Sequence, residues 1–178
     1  ADDIRTGPIA TDSPEFEAAE ANVRSQIDAF MNNKGTKTVD YFHRKLGKII
    51  WNKCGMSRNE KNLKEAIKEV KALREAFYKE VYVPGTADSF NEPLAKALRV
   101  ADFMELGELF AKDALERFES CGGHFREESQ TPEGEALRDD ANFAFVSAWE
   151  YKGEPSEAKL HKEELNYENI ELKTRSYK

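Results

Sequence analysis

Cys121 and His124 stand three residues apart in ESCGGHFREESQTPEGEALRDD, Glu119 to Asp140, a stretch that packs two arginines and seven carboxylates into 22 positions. A histidine close to a thiol can take its proton and leave a nucleophile, and the pair can equally supply half of a metal site. Zinc takes about four ligands, and the other candidates here, Cys54, His161 and carboxylates, come from distant segments. The competing reading is mechanical. Gly122 and Gly123 allow a tight turn, and His124, Arg126, Arg138, Asp139 and Asp140 form an ion-paired network that anchors a connector. On these residues alone both readings stay open.

Chemistry elsewhere is sparse. His43 follows VDYF, but positions i+3 and i+4 are Leu46 and Gly47, so no second ligand shares its helix face, and a surface or packed histidine is the plainer reading. Cys54 beside Trp51 reads as a small packed thiol. There is no GxGxxG, phosphate loop, GxSxG or HExxH, so no catalytic, cofactor-binding or metal-ligating residue is assigned within the chain. The net charge is -7 and cations alternate with acids, which argues against nucleic acid as a partner. No apolar run approaches the roughly 18 residues that a membrane span needs, so no direct membrane insertion is expected. Two cysteines without CxxC spacing fit a reducing, cytoplasmic setting.

The elements that must position these residues are mostly helices. Ser13, Pro14 and Glu15 open the first, with Phe16, Ala19, Val23, Ile27, Phe30 and Met31 at helical spacing and Gly35 as its end. A second runs near Val39 to Lys53, with Phe42, Leu46, Ile49 and Ile50 on its apolar side. SRNE, Ser57 to Glu60, reads as a capping box for a third, whose stripe is Leu63, Ile67, Val70, Leu73 or Arg74, and Phe77. A fourth starts near Asn91 and carries Leu94, Leu98, Ala101, Leu109, Ala114 and Phe118 to about Ser120. NFAFVSAWEY then switches to period two, with Phe143, Phe145, Trp149 and Tyr151 on one side, and AKLHKEEL and NIELKTRSY offer partner strands. The expected fold is mainly α: an antiparallel three- to four-helix bundle, spectrin-repeat-like, with a small C-terminal β appendage. Residues 1–12 read as a linker from something upstream, 13–120 as the bundle, and 121–178 as a charged connector with a β-hairpin tail.

Glu119, Ser120, Gly122, His124, Arg126, then Arg138, Asp139 and Asp140, then Trp149, follow a pattern that resembles the C-terminal part of succinate dehydrogenase and fumarate reductase flavoprotein subunits. KCGMSRNEKNLKEAI is similar to that family's helical-domain turn and ELGELFAKDALERFES to its last helix, so the likeness covers nearly the whole chain. Cys121 stands where the commoner pattern has arginine, which replaces a bidentate donor by a thiol. With its QTPEGEAL insert the chain looks most like the form in anaerobic, Bacteroides-like bacteria. L-aspartate oxidases share a weaker form of the motif.

The resemblance implies a C-terminal domain that is not active alone and packs against an upstream FAD-binding domain, with FAD and the dicarboxylate bound upstream and none by this fragment. It further implies an iron-sulfur subunit, a membrane anchor and a peripheral place on the inner face of the bacterial inner membrane, with electrons passing between succinate or fumarate and quinone. Cys121, Gly122, His124, Arg126, Arg138, Asp139, Asp140 and Trp149 are then family-motif or interface candidates. Two rivals stand beside it: a free-standing helical interaction module, and a small metal or thiol enzyme using Cys121 and His124.

Overall fold

Three amphipathic helices bury their stripes against one another. The computed structural model describes residues 10–171 and 173. In chain order the elements are α1 (Pro14–Asn32), β1 (Lys37–Thr38), α2 (Val39–Lys53), β2 (Ser57–Arg58), α3 (Glu60–Glu80), β3 (Val81–Tyr82), α4 (Glu92–Glu116), β4 (Phe125–Arg126), α5 (Asp140–Phe143), β5 (Phe145–Glu150), a 3₁₀ turn (Pro155–Glu157) and β6 (Lys159–Glu164).

Helices α2 and α3 run antiparallel. Phe42 at the start of α2 meets Phe77 near the end of α3, with ring centroids 5.2 Å apart, and Lys53 at the other end reaches Glu65 at 2.6 Å. Helix α4 lies parallel to α2, since Asp40 pairs with Lys96 while a Cβ added at Gly107 would sit 3.4 Å from Leu46 Cδ1. The core between them holds Phe42, Leu63, Val70, Phe77, Val100 and Met104, all essentially without solvent exposure. Each such side chain contributes about 1.5–3 kcal/mol by leaving water.

The expected stripe of α4 is displaced. Leu98 and Leu109 are only partly buried, and the line facing the core is Leu94, Ala97, Val100, Met104, Glu108, Ala111 and Ala114. Three alanines, Ala97, Ala111 and Ala114, share that line with Leu94, Val100 and Met104, and Gly107 beside it faces Leu46 and Ile50 of α2. Leu106 and Phe110 are left outside, 60% and 44% exposed.

Helix α1 departs further from expectation. Of its stripe only Phe30 is buried, against Phe77 and Tyr78, while Phe16 and Val23 remain half exposed. Ser13 holds the N-cap position without a side-chain cap bond. The helix ends at Asn32, and Gly35 has a different task. A Cβ there would come within 2.1 Å of the Glu80 carbonyl oxygen, so only glycine lets the chain pass the end of α3.

The capping box is also corrected. Asn59 is the N-cap of α3, its side chain accepting from Asn62 N at 2.8 Å, and the amide of Glu60 donates to Glu128 Oε1 at 2.6 Å. Ser57 instead donates to Glu127 Oε1 at 2.8 Å. This exchange follows from the parallel pairing of β2 with β4, which brings a distant acidic run to the helix N-terminus, where its charge is favoured. A second parallel pair, β1 with β3, staples the start of α2 to the end of α3.

The tail forms the expected antiparallel hairpin, β5 with β6, and Phe145, Ser147 and Trp149 share its half-buried side. Phe143 belongs to α5 rather than to the strand. Of the second partner strand expected in 169–177, residues 172 and 174–177 lie outside the described residues, as do 1–9 of the expected linker.

Candidate functional site

The charged connector folds back under the end of α4, and Arg126 is its centre. It has no solvent exposure. Its backbone amide donates to Ser120 Oγ at 2.8 Å, and its Nε donates to Glu128 Oε2 at 3.0 Å. Nη1 donates to the carbonyls of Ala114 at 3.0 Å and Leu115 at 3.2 Å. Those carbonyls belong to the last turn of α4, where no further helical amide can satisfy them and where a cation is favoured. The guanidinium lies 4.8 Å from the centre of the Phe118 ring. Helix α4 stops at Glu116, where Arg117 turns to extended backbone, so Phe118 is not on its stripe and the helix falls short of Ser120. Among the described residues Nη2 of Arg126 is buried without a partner.

His124 is fixed by a donor on one side and an acceptor on the other. Arg58 Nη1 lies 2.8 Å from its Nδ1, and the Arg117 carbonyl lies 2.8 Å from its Nε2. Arginine can only donate, so Nδ1 accepts and Nε2 carries the proton given to the carbonyl. Burial pulls the imidazole below its ordinary range; the bond to the Arg117 carbonyl acts the other way, and the Arg58, Arg126 and Arg117 charges add to the lowering. The ring is held neutral with both nitrogens engaged. Neither is free to deprotonate Cys121 or to take a metal, which removes the geometric basis of the thiol-enzyme rival. Cys121 itself is exposed, opposite His124 across a turn closed by Cys121 N to His124 O at 2.8 Å and His124 N to Cys121 O at 3.0 Å. Gly122 supplies the positive φ of 59° that this turn requires.

Two residues outside the candidate set join the connector to the hairpin. Arg117 Nη1 donates to Glu119 Oε1 at 2.7 Å and to the Phe143 carbonyl at 3.0 Å, and Nη2 donates to the Phe145 carbonyl at 2.9 Å. Glu119 is almost fully buried, and its second oxygen accepts the Asp139 amide at 3.0 Å. Asp139 then caps α5 through Asn142, while Arg138 pairs with Asp140 at 2.6 Å. So the expected network divides: His124 and Arg126 close under α4, and Arg138, Asp139 and Asp140 form a separate cluster reached through Glu119. Arg58, Arg117 and Glu128 carry as much of the geometry as the motif residues do. The signal for Arg117 was a cation at a helix end, which the stripe reading passed over.

Trp149 donates its Nε1 proton to Asp113 Oδ1 at 2.9 Å, under Lys112, whose ammonium lies 4.7 Å from the ring centre. Lys112 also donates to the carbonyls of Pro155, Ser156 and Ala158, locking the 3₁₀ turn to α4. On the opposite flank Arg74, nearly buried, reaches Glu154 at 2.5 Å and Glu108 at 3.5 Å. Burial pushes the Glu108 carboxyl up, against the pull of Arg74. His43 is exposed on α2, and Cys54 is buried, its thiol pushed up by that burial.

Two open clefts flank this assembly. One of about 590 Å³ is lined by Ile50, Gly107, Phe110, Asp113, Ser147 and Trp149 among others, and one of about 420 Å³ by Trp51, Gly55, Met56, Arg58 and Gly123. Among the described residues no group of three or more His, Cys, Asp or Glu side chains is placed to hold a metal ion, and no helix is long and apolar enough to cross a membrane.

Residues 43–177 match the family described as fumarate reductase flavoprotein C-term. The fumarate reductase flavoprotein subunits of Proteus vulgaris and Escherichia coli are each 28% identical to the chain over 128 residues, 72% of its length. The chain spans about a fifth of those relatives, 21% and 20% respectively. Among solved structures, a quinol-fumarate reductase with menaquinol molecules superposes with a TM-score of 0.76 at 23% identity, over 93% of this chain and 27% of that one. A quinol fumarate reductase chain of E. coli gives 0.73 at 20% identity, over 95% and 28%. The Sdh1 complex of Mycobacterium smegmatis gives 0.69 at 23% identity, over 85% and 25%. At these identities the superpositions establish a shared fold.

Proposed function

Because the chain belongs to the fumarate reductase flavoprotein C-terminal family, we propose that it works as the helical C-terminal domain of a flavoprotein subunit in succinate and fumarate interconversion. Its part is to pack against the FAD-binding portion and support assembly, and the chemistry takes place elsewhere in the subunit. FAD and the dicarboxylate are held outside these 178 residues. An iron-sulfur subunit and a membrane anchor complete the complex, which places this domain on the inner face of the membrane without entering it. In this reading Cys121, Gly122, His124, Arg126, Arg138, Asp139, Asp140 and Trp149 shape and present the docking face.

The observation that carries the reading is the use of His124 and Arg126. Their side-chain hydrogen bonds tie the connector to the end of α4, to Arg58 of β2 and, through Glu128, to itself. Such a set holds a shape and has no free acid, base or nucleophile. An antibody raised against this chain is expected to find it in a polypeptide several times longer that carries flavin. In that polypeptide, replacing Asp139 by alanine should loosen flavin retention or subunit assembly. A band at the size of this chain without flavin would overturn the reading, as would unchanged assembly and activity in the variant.

A further inference from the structure

Arg58 is the exception to the inward-turned polar groups. Its Nε donates to the Gly55 carbonyl at 2.9 Å, its Nη1 to His124, and its guanidinium lies 4.9 Å from the centre of the Phe110 ring. No carboxylate of the described residues lies within ion-pair distance of it. The neighbouring acids are taken: Glu127 by Ser57 and Asn59, Glu128 by Arg126 and the Glu60 amide, and Asp113, whose charge acts on Arg58 from beyond ion-pair distance, by the Trp149 indole. Nη2 has no partner among the described residues, yet it is not among the buried unpartnered atoms, so it reaches solvent.

The surroundings are unusual for a lone solvated cation. Arg58 lines the cleft of about 420 Å³ together with Trp51, 83% exposed, and Met56, 90% exposed. An indole and a thioether left in water at the edge of a fixed guanidinium are the three residue types that protein interfaces concentrate at their centres. Gly55 and Gly123 line the same cleft, so no side chain of theirs blocks approach. Two bonds and a ring face hold the guanidinium in place beforehand, which lowers the entropy lost on pairing. In a chain of net charge -7, a cation that no carboxylate of the described residues touches is complementary to an acid brought from outside.

We infer that the surface formed by Trp51, Met56 and Arg58 receives another protein surface that presents a carboxylate beside an apolar side chain. The carboxylate pairs with the free edge of Arg58 and the apolar group covers Trp51 and Met56. This rests on the docking role proposed above and adds the chemistry of what docks.

The test is carbodiimide cross-linking of the full flavoprotein in its native complex, with Arg58→Lys placing a primary amine at the predicted contact. The expected product is a new amide link from position 58 to an aspartate or glutamate outside this 178-residue sequence, lost when that acid is replaced by its amide. Lys53, 2.6 Å from Glu65, provides an internal link that reports a working reaction. Should Arg58→Lys disturb the His124 contact and fail to fold, Met56→Lys carries the same test from a side chain that is 90% exposed. Links only to acids within this sequence, in the same chain or a second copy, would overturn the inference. So would no link while the Lys53 control forms. The polypeptide size and flavin content of the same preparation decide separately whether the larger-flavoprotein reading holds.

Discussion

Phe77 in the helical core and Arg126 in the connector are both fully buried, yet opposite forces hold them. Phe77 packs among Phe30, Phe42 and Tyr78, where contact is non-directional and a neighbour can shift by a few tenths of an ångström with little loss. Arg126 is held by named atoms: the carbonyls of Ala114 and Leu115, the Glu128 carboxylate and the Phe118 ring. The core tolerates substitution by shape, whereas the connector tolerates little, because each lost bond leaves a polar group stranded away from water.

That contrast can be broken in order of size. Phe77→Ala should cost about 3–5 kcal/mol, since it removes a ring and leaves a cavity; urea unfolding of the isolated chain reads it. Arg126→Ala should approach that, at about 3 kcal/mol, although it gives up far less apolar area. A loss under about 1 kcal/mol would mean that water replaces the guanidinium freely and that the two regions differ less than their contacts suggest.

A pH series separates them further. His124 has a folded pKa below its ordinary value, with burial as the leading cause, so between those two values the unfolded chain binds more protons. Its contribution is complete above about pH 6.5 and is lost as pH falls through that window. His124→Gln should flatten the fall in stability that sets in below about pH 6.5, while Phe77→Ala should leave that slope intact. Trp149→Phe removes the bond to Asp113 and should cost about 1 kcal/mol, read as faster amide exchange in β5 and β6. Smallest of all, Phe16→Ser on the uncovered face of α1 should stay within about 0.5 kcal/mol in the isolated chain.

Helix α1 and helix α3 show how far the sequence could be read. Both have helical periodicity and a start signal, and both form; but α3 is covered along its length and α1 only at its end, where Phe30 is buried and Ile27 and Met31 are half-buried. Periodicity states which face is apolar and says nothing of what covers it. In the same way SRNE held the right residues for a local cap, yet Glu127, just past β4 and 70 positions away, took Ser57 for another bond, and Glu128 took the Glu60 amide. The motif residues His124 and Arg126 were found from their types, but their partners Arg58 and Arg117 were not, since no spacing along the chain relates Arg58 to a histidine 66 residues later.

By itself the sequence determined the helices α2 to α4, the switch to period two before Phe145, and the motif from Glu119 to Trp149, because these depend on local propensity and residue order. Tertiary structure decided which stripe of α4 faces inward, which residue caps α3, and that His124 is neutral with both nitrogens used. It also decided that Arg58 keeps a free edge beside Trp51 and Met56. Those outcomes turn on distances between atoms far apart in the chain, and only packing sets them.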